Sequence, residues 1–153
     1  MSDLRSTLLF TVKMKAAPAQ MVGKTPLGER RIVAVTGGSF EGPKLRGTLV
    51  EQGGSDWILA RADGSLQLNV RVTLKTEDNA LIGMRYEGYR HGPAAVIERL
   101  NRGEAVDPSE YYFRTIVMFE TAAPKYAWLN NVLAVGVGRR PPEGPVYEVY
   151  EIL

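Results

Sequence analysis

Residues 56–86 read DWILARADGSLQLNVRVTLKTEDNALIGMRY, which is three strand-like runs separated by two short turns. Apolar residues recur at every second position of these runs, as they do in β-strands that bury one face. Asp63-Gly64 is a strong hairpin signal, because both central residues of a type I′ turn need a positive φ angle. Asp78-Asn79 is a weaker candidate for a turn of the same type. The segment therefore predicts three antiparallel strands joined by tight hairpins.

Two-residue turns determine which side chains lie opposite each other in these strands. Counting back from both turns places Asp56 beside Arg71, and Arg71 beside Tyr86, on one face of the sheet. If this row is exposed, it is a cross-strand ion pair of small energetic value. In a barrel lumen the same groups need full hydrogen bonding, and their spare donors would orient a polar ligand. The opposite face is more apolar around Trp57, but Arg85 interrupts it, and we favour the lumenal placement of the row.

The same alternation recurs through the rest of the chain and predicts an all-β fold. Period-two apolar runs are found at residues 8–14, 66–74, 111–119 and 133–137, with glycine and proline between them. One short helix is predicted at Ala94–Arg102, entered by Pro93 and closed by Gly103. We expect about 8 to 10 antiparallel strands. A sheet of this size avoids open edges by curling, so the predicted architecture is a single antiparallel β-barrel or flattened barrel.

Composition narrows the functional classes. The 153 residues suit one domain over residues 1–153, and the absence of cysteine removes thiolate ligands, so no metal site is predicted. The net charge is +2 with basic and acidic residues interspersed, which does not favour nucleic-acid binding. No apolar run is as long as a membrane span, and the N-terminal residues do not resemble a secretory signal. The expected location is the cytoplasm.

Asp56 and Tyr86 are the candidate catalytic residues. Asp56 has the chemistry of a general base, but an adjacent Arg71 would lower its pKa, which suits ligand orientation better than proton abstraction near neutral pH. Tyr86 can donate a hydrogen bond to a carbonyl or enolate oxygen, and an ordinary sheet tyrosine is an equally good interpretation. Asn69 lies on the same predicted face and is a candidate ligand contact.

Two further side chains and one loop are candidates for ligand contact. Trp57 can stack on a flat ligand or pack at the end of the barrel. Arg114 can bind a carboxylate or enolate, or pair with an acid on a neighbouring strand. Residues 16–29 read as a long Gly- and Pro-rich loop, which is either a lid over the barrel mouth or an ordinary surface connection.

Several motifs in a fixed order resemble the DUF3237 family, also known as UPF0311: GGSFEGPKLRGTL, GGSDW, RADG, LNVR, LIGMRYEG, YYFRT, FET and YAWLN. The resemblance covers roughly residues 8–138 and implies a calycin- or lipocalin-like barrel. It places family positions on Asp56, Trp57, Arg71, Tyr86 and Arg114. The chain departs from the family pattern at Asn69, where Asp is usual, and at Asn79, where Gly is usual. Fungal relatives are associated with cyclisation of polyketide intermediates, which implies acid and base groups inside the barrel.

The leading functional hypothesis is a barrel that encloses a small carbonyl- or carboxylate-bearing organic molecule and performs cofactor-free acid–base cyclisation, isomerisation or addition to an enone. The alternative is a non-catalytic binding or carrier protein that uses the same cavity. An OB-like nucleic-acid binder rests only on barrel shape and interspersed basic and aromatic residues. Exposed apolar strand faces are compatible with a homo-oligomer.

Overall fold

A computed structural model describes residues 3–153 and contains ten strands and one α-helix. The helix α1 spans Ala94–Asn101, so it ends one residue before the predicted Arg102, which is its C-cap. Gly103, the residue predicted to close the helix, follows with φ +76°. Two 3₁₀ segments span Pro108–Glu110 and Pro124–Asn131. The strands are β1 (Ser6–Ala16), β2 (Gln20–Thr25), β3 (Gly28–Glu41), β4 (Arg46–Leu49), β5 (Gly54–Ala60), β6 (Leu66–Thr76), β7 (Leu81–His91), β8 (Tyr112–Glu120), β9 (Ala134–Arg139) and β10 (Val146–Ile152).

Eight of the strands close an antiparallel barrel. Their order is β1-β10-β9-β8-β7-β6-β5-β3, and pairing of β3 with β1 completes the ring. The extra strand β4 pairs with the far ends of β3 and β6, and β2 pairs with the first residues of β3. The predicted antiparallel β-barrel with one short helix is confirmed. Within residues 3–153, no helix has the length and apolar character needed to cross a membrane.

Both hairpin turns within residues 56–86 have three loop residues, so the prediction of two-residue type I′ turns is wrong. Arg61 and Ser65 close the first hairpin, and Gly64 takes the left-handed conformation with φ +86°. Thr76 and Ala80 close the second, where Asn79 has φ +67°. Three-residue loops that end in a left-handed residue are a common hairpin class, and Asn tolerates this conformation better than most residues.

The extra loop residue shifts the register of each hairpin by one position. Asp56 lies opposite Val70, and Val70 lies opposite Tyr86. Arg71 instead lies opposite Ser55 and is exposed, because a one-residue shift turns every side chain to the other face. The predicted Asp56–Arg71 pairing is therefore wrong. The two shifts offset each other, however, and Asp56 and Tyr86 remain in one row, with a buried valine between them.

The barrel has a closed end filled by apolar side chains. Phe10 lies with its ring edge against Phe40 and Phe119, at centroid distances of 5.4 and 6.0 Å. The segment Pro124–Asn131 follows β8 at this end and contributes Leu129, which is completely buried. We call this region the closed end, and the opposite end, where α1 connects β7 to β8, the open end.

Residues 16–29, predicted to be a loop, contain β2. This strand forms a hairpin with β3 through a short turn between Thr25 and Gly28. Thr25 stabilises that turn, since its hydroxyl donates to the Gly28 carbonyl at 2.9 Å. Ala16 and Ala19, just before β2, reach the rim of the open end. The lid interpretation therefore reduces to a short rim contact beside a regular hairpin.

Candidate functional site

A cavity of about 240 Å³ enters the barrel at the open end. Its walls come from β3, β5, β6, β7, β8, β10 and α1, and include the apolar side chains of Ile58, Leu68, Leu100 and Phe113. Its polar lining is formed by six side chains with hydrogen-bonding groups: Arg31, Asp56, Arg90, Asn101, Arg140 and Tyr147. The cavity is thus an apolar chamber with a concentrated polar wall, which is the usual composition of a small-molecule site.

Several strands of the barrel direct these polar side chains into the same cavity. Asp56 lies opposite Val33 of β3, two positions along that strand from Arg31. Arg90 is four positions after Tyr86 on β7, so both point inward. Tyr147 is near the start of β10, and Arg140 follows the last residue of β9. Residues distant in sequence therefore meet because the barrel is closed.

Glycines on β9 make room for side chains of β8. A Cβ atom added at Gly138 would lie 2.7 Å from the ring of Phe113, and one at Gly136 would clash with Oγ1 of Thr115. The Tyr147 ring packs edge-on against Phe113 and Tyr86, at 5.2 and 5.0 Å between centroids. The absence of a side chain on Gly138 therefore lets the Phe113 ring lie directly on the sheet.

Asp56 is partly buried and has few partners. Its Oδ1 atom accepts one hydrogen bond, from the backbone N–H of Asn69 at 3.3 Å. No ion pair within 4.0 Å involves Asp56 among residues 3–153. Burial raises the pKa of Asp56 to about 7, and the Asn69 hydrogen bond and the charges of Arg90 and Arg31 only partly oppose this rise. The low pKa expected from a paired Arg71 is therefore wrong.

The arginines around the cavity are poorly compensated. Burial, together with the nearby charges of Arg140 and Arg31, lowers the pKa of Arg90. The Nε atom of Arg90 is buried without a hydrogen-bond partner among residues 3–153. The Nη1 atom of Arg140 donates to the carbonyl of Pro141 at 2.6 Å, and the Arg140 backbone N–H donates to the hydroxyl of Tyr111 at 2.8 Å. The guanidinium donors are thus largely available to a ligand.

The two lumenal tyrosines are neutral hydrogen-bonding groups. Burial raises the pKa of Tyr147 above its usual value, and burial beside Tyr147 raises the pKa of Tyr86 well above it. Tyr86 lies beneath the cavity, where its hydroxyl donates to Sδ of Met14 at 3.3 Å. Tyr147 lines the cavity itself. The structure therefore places Tyr86 as support for the Tyr147 ring rather than at the cavity surface.

Four of the predicted ligand contacts lie on the outside of the barrel. Trp57 is 49% exposed and lies under the guanidinium of Arg30, 5.8 Å from the ring centroid. The side chains of Asn69 and Arg71 are exposed, and only the backbone N–H of Asn69 reaches Asp56. Arg114 is half-buried on the outer face, where it lies 5.5 Å from the Tyr112 ring. The structure brings only Asp56 and Tyr86 together in the lumen.

Sequence reasoning missed Arg31, Arg90, Arg140 and Tyr147. Arg90 could have been found by continuing the alternation from Tyr86 through Gly88 on the same strand. Arg31 and Tyr147 belong to strands whose partners are far away in sequence, and Arg140 lies beyond a strand end. No local pattern identifies them. Among residues 3–153, no group of three His, Cys, Asp or Glu side chains is arranged to hold a metal ion.

Comparisons with known proteins agree on family and fold. The profile of the family described as "Protein of unknown function (DUF3237)" matches residues 4–152. A UPF0311 protein of Rhodopseudomonas palustris is 32% identical over 150 residues, covering 98% of this chain and 97% of the relative. A crystal structure of a β-barrel-like protein from Acinetobacter baumannii is 36% identical with a TM-score of 0.86, and covers 100% of this chain and 98% of its own.

A third relative carries a functional name. A hydroalkoxylation enzyme of Penicillium herquei is 27% identical over 128 residues, which is 84% of this chain and 70% of the relative.

Proposed function

The chain belongs to the DUF3237 family, and we propose that its open-end cavity binds a small carbonyl-bearing organic molecule and catalyses an acid–base cyclisation, isomerisation or addition. The proposal rests mainly on Asp56, because this carboxyl group has a pKa of about 7 and lies in a partly apolar cavity. A group with this pKa exchanges protons readily in both directions near neutral pH.

Addition of a hydroxyl group to an enone illustrates the chemistry that this geometry supports. The Asp56 carboxylate accepts the hydroxyl proton while the hydroxyl oxygen bonds to the β-carbon. The π electrons of the C=C bond move towards the carbonyl, whose oxygen becomes an enolate. The Asp56 carboxylic acid then returns the proton to the α-carbon. One O–H bond and one π bond break, one C–O and one C–H bond form, and Asp56 ends in its starting state.

The other cavity residues assist this step. The guanidinium groups of Arg31, Arg90 and Arg140 line the same cavity and can hydrogen-bond the enolate oxygen as its charge develops. Tyr147 contributes a neutral hydroxyl, since its raised pKa keeps it protonated. Tyr86 acts as a positioning residue that holds the Tyr147 ring. The distant Penicillium relative supports the reaction class, because hydroalkoxylation is addition of an O–H group across a C=C bond.

The test uses an ortho-hydroxyaryl enone, which closes to a chromanone when its phenol oxygen adds to the enone. Wild-type protein, Asp56→Asn and the outer-face control Glu87→Gln are compared by the loss of enone absorbance. We expect Asp56→Asn to lower the catalysed rate by at least about 100-fold, as is usual for loss of a general acid–base group, with Glu87→Gln unchanged. The wild-type rate should fall as the pH drops below about 7, because the carboxylate is the active form.

Equal rates in wild-type protein and Asp56→Asn would contradict the catalytic role of Asp56. Cavity binding of enones without turnover of any of them would instead support the carrier function. In that case wild-type protein and Asp56→Asn would both bind one enone molecule per chain and convert none of it. A set of such enones with small alkyl or aryl substituents also measures the size limit that a cavity of about 240 Å³ imposes.

A further inference from the structure

The cavity carries more positive charge than its own residues neutralise. Arg31, Arg90 and Arg140 reach it from three separate parts of the barrel, and Asp56 is the acidic side chain in its lining. Even with Asp56 ionised, these four groups carry a net charge of +2. Like charges gathered in a partly buried site repel each other and lose hydration, so such a cluster is costly unless a ligand compensates it.

The ion pairs of the protein lie elsewhere. Six are found within residues 3–153, and all join partly or largely exposed side chains, such as Arg46 with Glu77 at 2.7 Å. None involves an arginine of the cavity. Neither Arg31 nor Arg90 donates a side-chain hydrogen bond to any residue in this part of the chain, and Nε of Arg90 is buried. Buried donors without partners are uncommon in folded proteins.

The remaining lining selects the kind of anion. Ile58, Leu68, Leu100 and Phe113 form apolar walls, which favour a hydrocarbon or aromatic body over a fully hydrated inorganic ion. A guanidinium group matches the geometry of a carboxylate, because two N–H donors meet two oxygens in one plane. The volume of about 240 Å³ suits one or two small rings.

We propose that the open-end cavity recognises an organic anion, a carboxylate on a small apolar body, held by the guanidinium groups of Arg31, Arg90 and Arg140. This inference rests on the proposed use of the cavity for a small molecule and names the substrate class. A substrate with both a carboxylate and a carbonyl would place its charge on the arginines and its reacting atoms beside Asp56.

The test compares 1-naphthoate with 1-naphthamide, which has the same shape without the charge. Calorimetric titration at neutral pH should show naphthoate binding at least about 10-fold tighter than the amide, a difference that charge-assisted hydrogen bonds readily supply. Arg90→Met and Arg31→Met should each weaken naphthoate binding at least about 10-fold and leave the amide unaffected. Arg71→Met, the same substitution on the outer face, is the matched control and should bind both probes like wild-type protein.

Arg90→Lys separates charge from geometry, since it keeps the positive charge but loses the planar fork, and we expect intermediate affinity. Circular dichroism of every variant confirms that it is folded before titration. Equal affinity for naphthoate and naphthamide, unchanged naphthoate affinity in both arginine variants, or no naphthoate binding at millimolar concentration would each overturn the inference. If inorganic phosphate displaced naphthoate at a concentration as low as that at which naphthoate itself binds, the inference that the bound anion is organic would be overturned. Turnover of neutral enones tests the proposed function separately, so the two can fail independently.

Discussion

Asp56 at the open end and Asp78 at the closed end are carboxylates in contrasting environments. Asp78 accepts hydrogen bonds from the hydroxyls of Thr76 and Tyr126, and Lys125 lies 3.2 Å away. These partners hold the pKa of Asp78 at about 2, whereas burial with one hydrogen bond raises the pKa of Asp56 to about 7. The same barrel thus contains one carboxylate whose surroundings stabilise its charge and one whose surroundings favour its protonated form.

The two ends of the barrel therefore differ in what their residues contribute to the stability of the folded protein. The closed end combines buried aromatic rings in mutual contact with a hydrogen-bonded carboxylate, so we expect its residues to contribute mainly to folding. At the open end, most guanidinium donors have no partner in the described part of the chain and a carboxyl is partly desolvated, which costs stability and is typical of functional sites. Substitutions at the two ends should therefore have different, and in one case opposite, effects on stability.

The largest effect is expected for Phe10→Ala at the closed end. Phe10 is completely buried and contacts two other phenylalanine rings, so its truncation removes buried area and leaves a cavity. We expect a loss of about 3–5 kcal/mol in the free energy of unfolding, measured by urea denaturation. Ile116→Ala, a truncation at a position that is 62% exposed, is the control and should cost far less. A loss below about 1 kcal/mol for Phe10→Ala would contradict the assignment of the closed end as the main core.

The next largest effect is expected for Asp56→Asn, and it has the opposite sign. Because the pKa of Asp56 is about 7 in the folded protein and near 4 in the unfolded chain, the folded state binds more protons between these values. The free energy of unfolding of wild-type protein should therefore fall as the pH rises from about 4 to about 7, and remain level above. Asparagine has no such titration and keeps an oxygen for the Asn69 N–H.

We therefore expect Asp56→Asn to be more stable than wild-type protein at pH 8 by roughly 1–4 kcal/mol, since one pKa unit corresponds to about 1.4 kcal/mol. The two proteins should approach each other in stability towards pH 4. Urea denaturation across this range measures the difference, with Glu87→Gln as an exposed control. Parallel stability curves for wild-type protein and Asp56→Asn would show that Asp56 is not desolvated.

The barrel and its one helix were predictable because alternation, hairpin signals and helix ends are local patterns. Loop length was not, since Asp63-Gly64 fits a two-residue type I′ turn and equally ends a three-residue loop. Asp56 and Tyr86 kept their common row only because two errors of one residue offset each other. The convergence of Arg31 and Arg140 depends on long-range strand pairing and on the barrel closure, which local patterns do not encode.

A smaller effect is expected for Tyr126→Phe at the closed end. The Tyr126 side chain is buried, and its hydroxyl donates to Asp78 at 2.9 Å, so removing it should cost about 1 kcal/mol. Because the folded-state pKa of Asp78 lies below its unfolded value, wild-type stability should fall as the pH drops from about 4 to about 2. This fall should be shallower in Tyr126→Phe. Tyr150→Phe, which also deletes a tyrosine hydroxyl, is the comparison. If wild-type protein and Tyr126→Phe unfold identically in acid, the Tyr126 hydroxyl does not stabilise the charged form of Asp78.

The smallest effect is expected for Arg71→Ala. Two-residue hairpin turns would have placed Arg71 opposite Asp56. Arg71 is exposed and opposite Ser55, so its truncation should change the free energy of unfolding by less than about 0.5 kcal/mol. A double-mutant cycle with Asp56→Asn at pH 8 should give a coupling energy near zero, because the two side chains point to opposite faces of the sheet. A coupling above about 1 kcal/mol would mean that the first hairpin has the two-residue turn after all. It would also turn Arg71 inward and remove Asp56 from the unpaired state on which its proposed catalytic role depends.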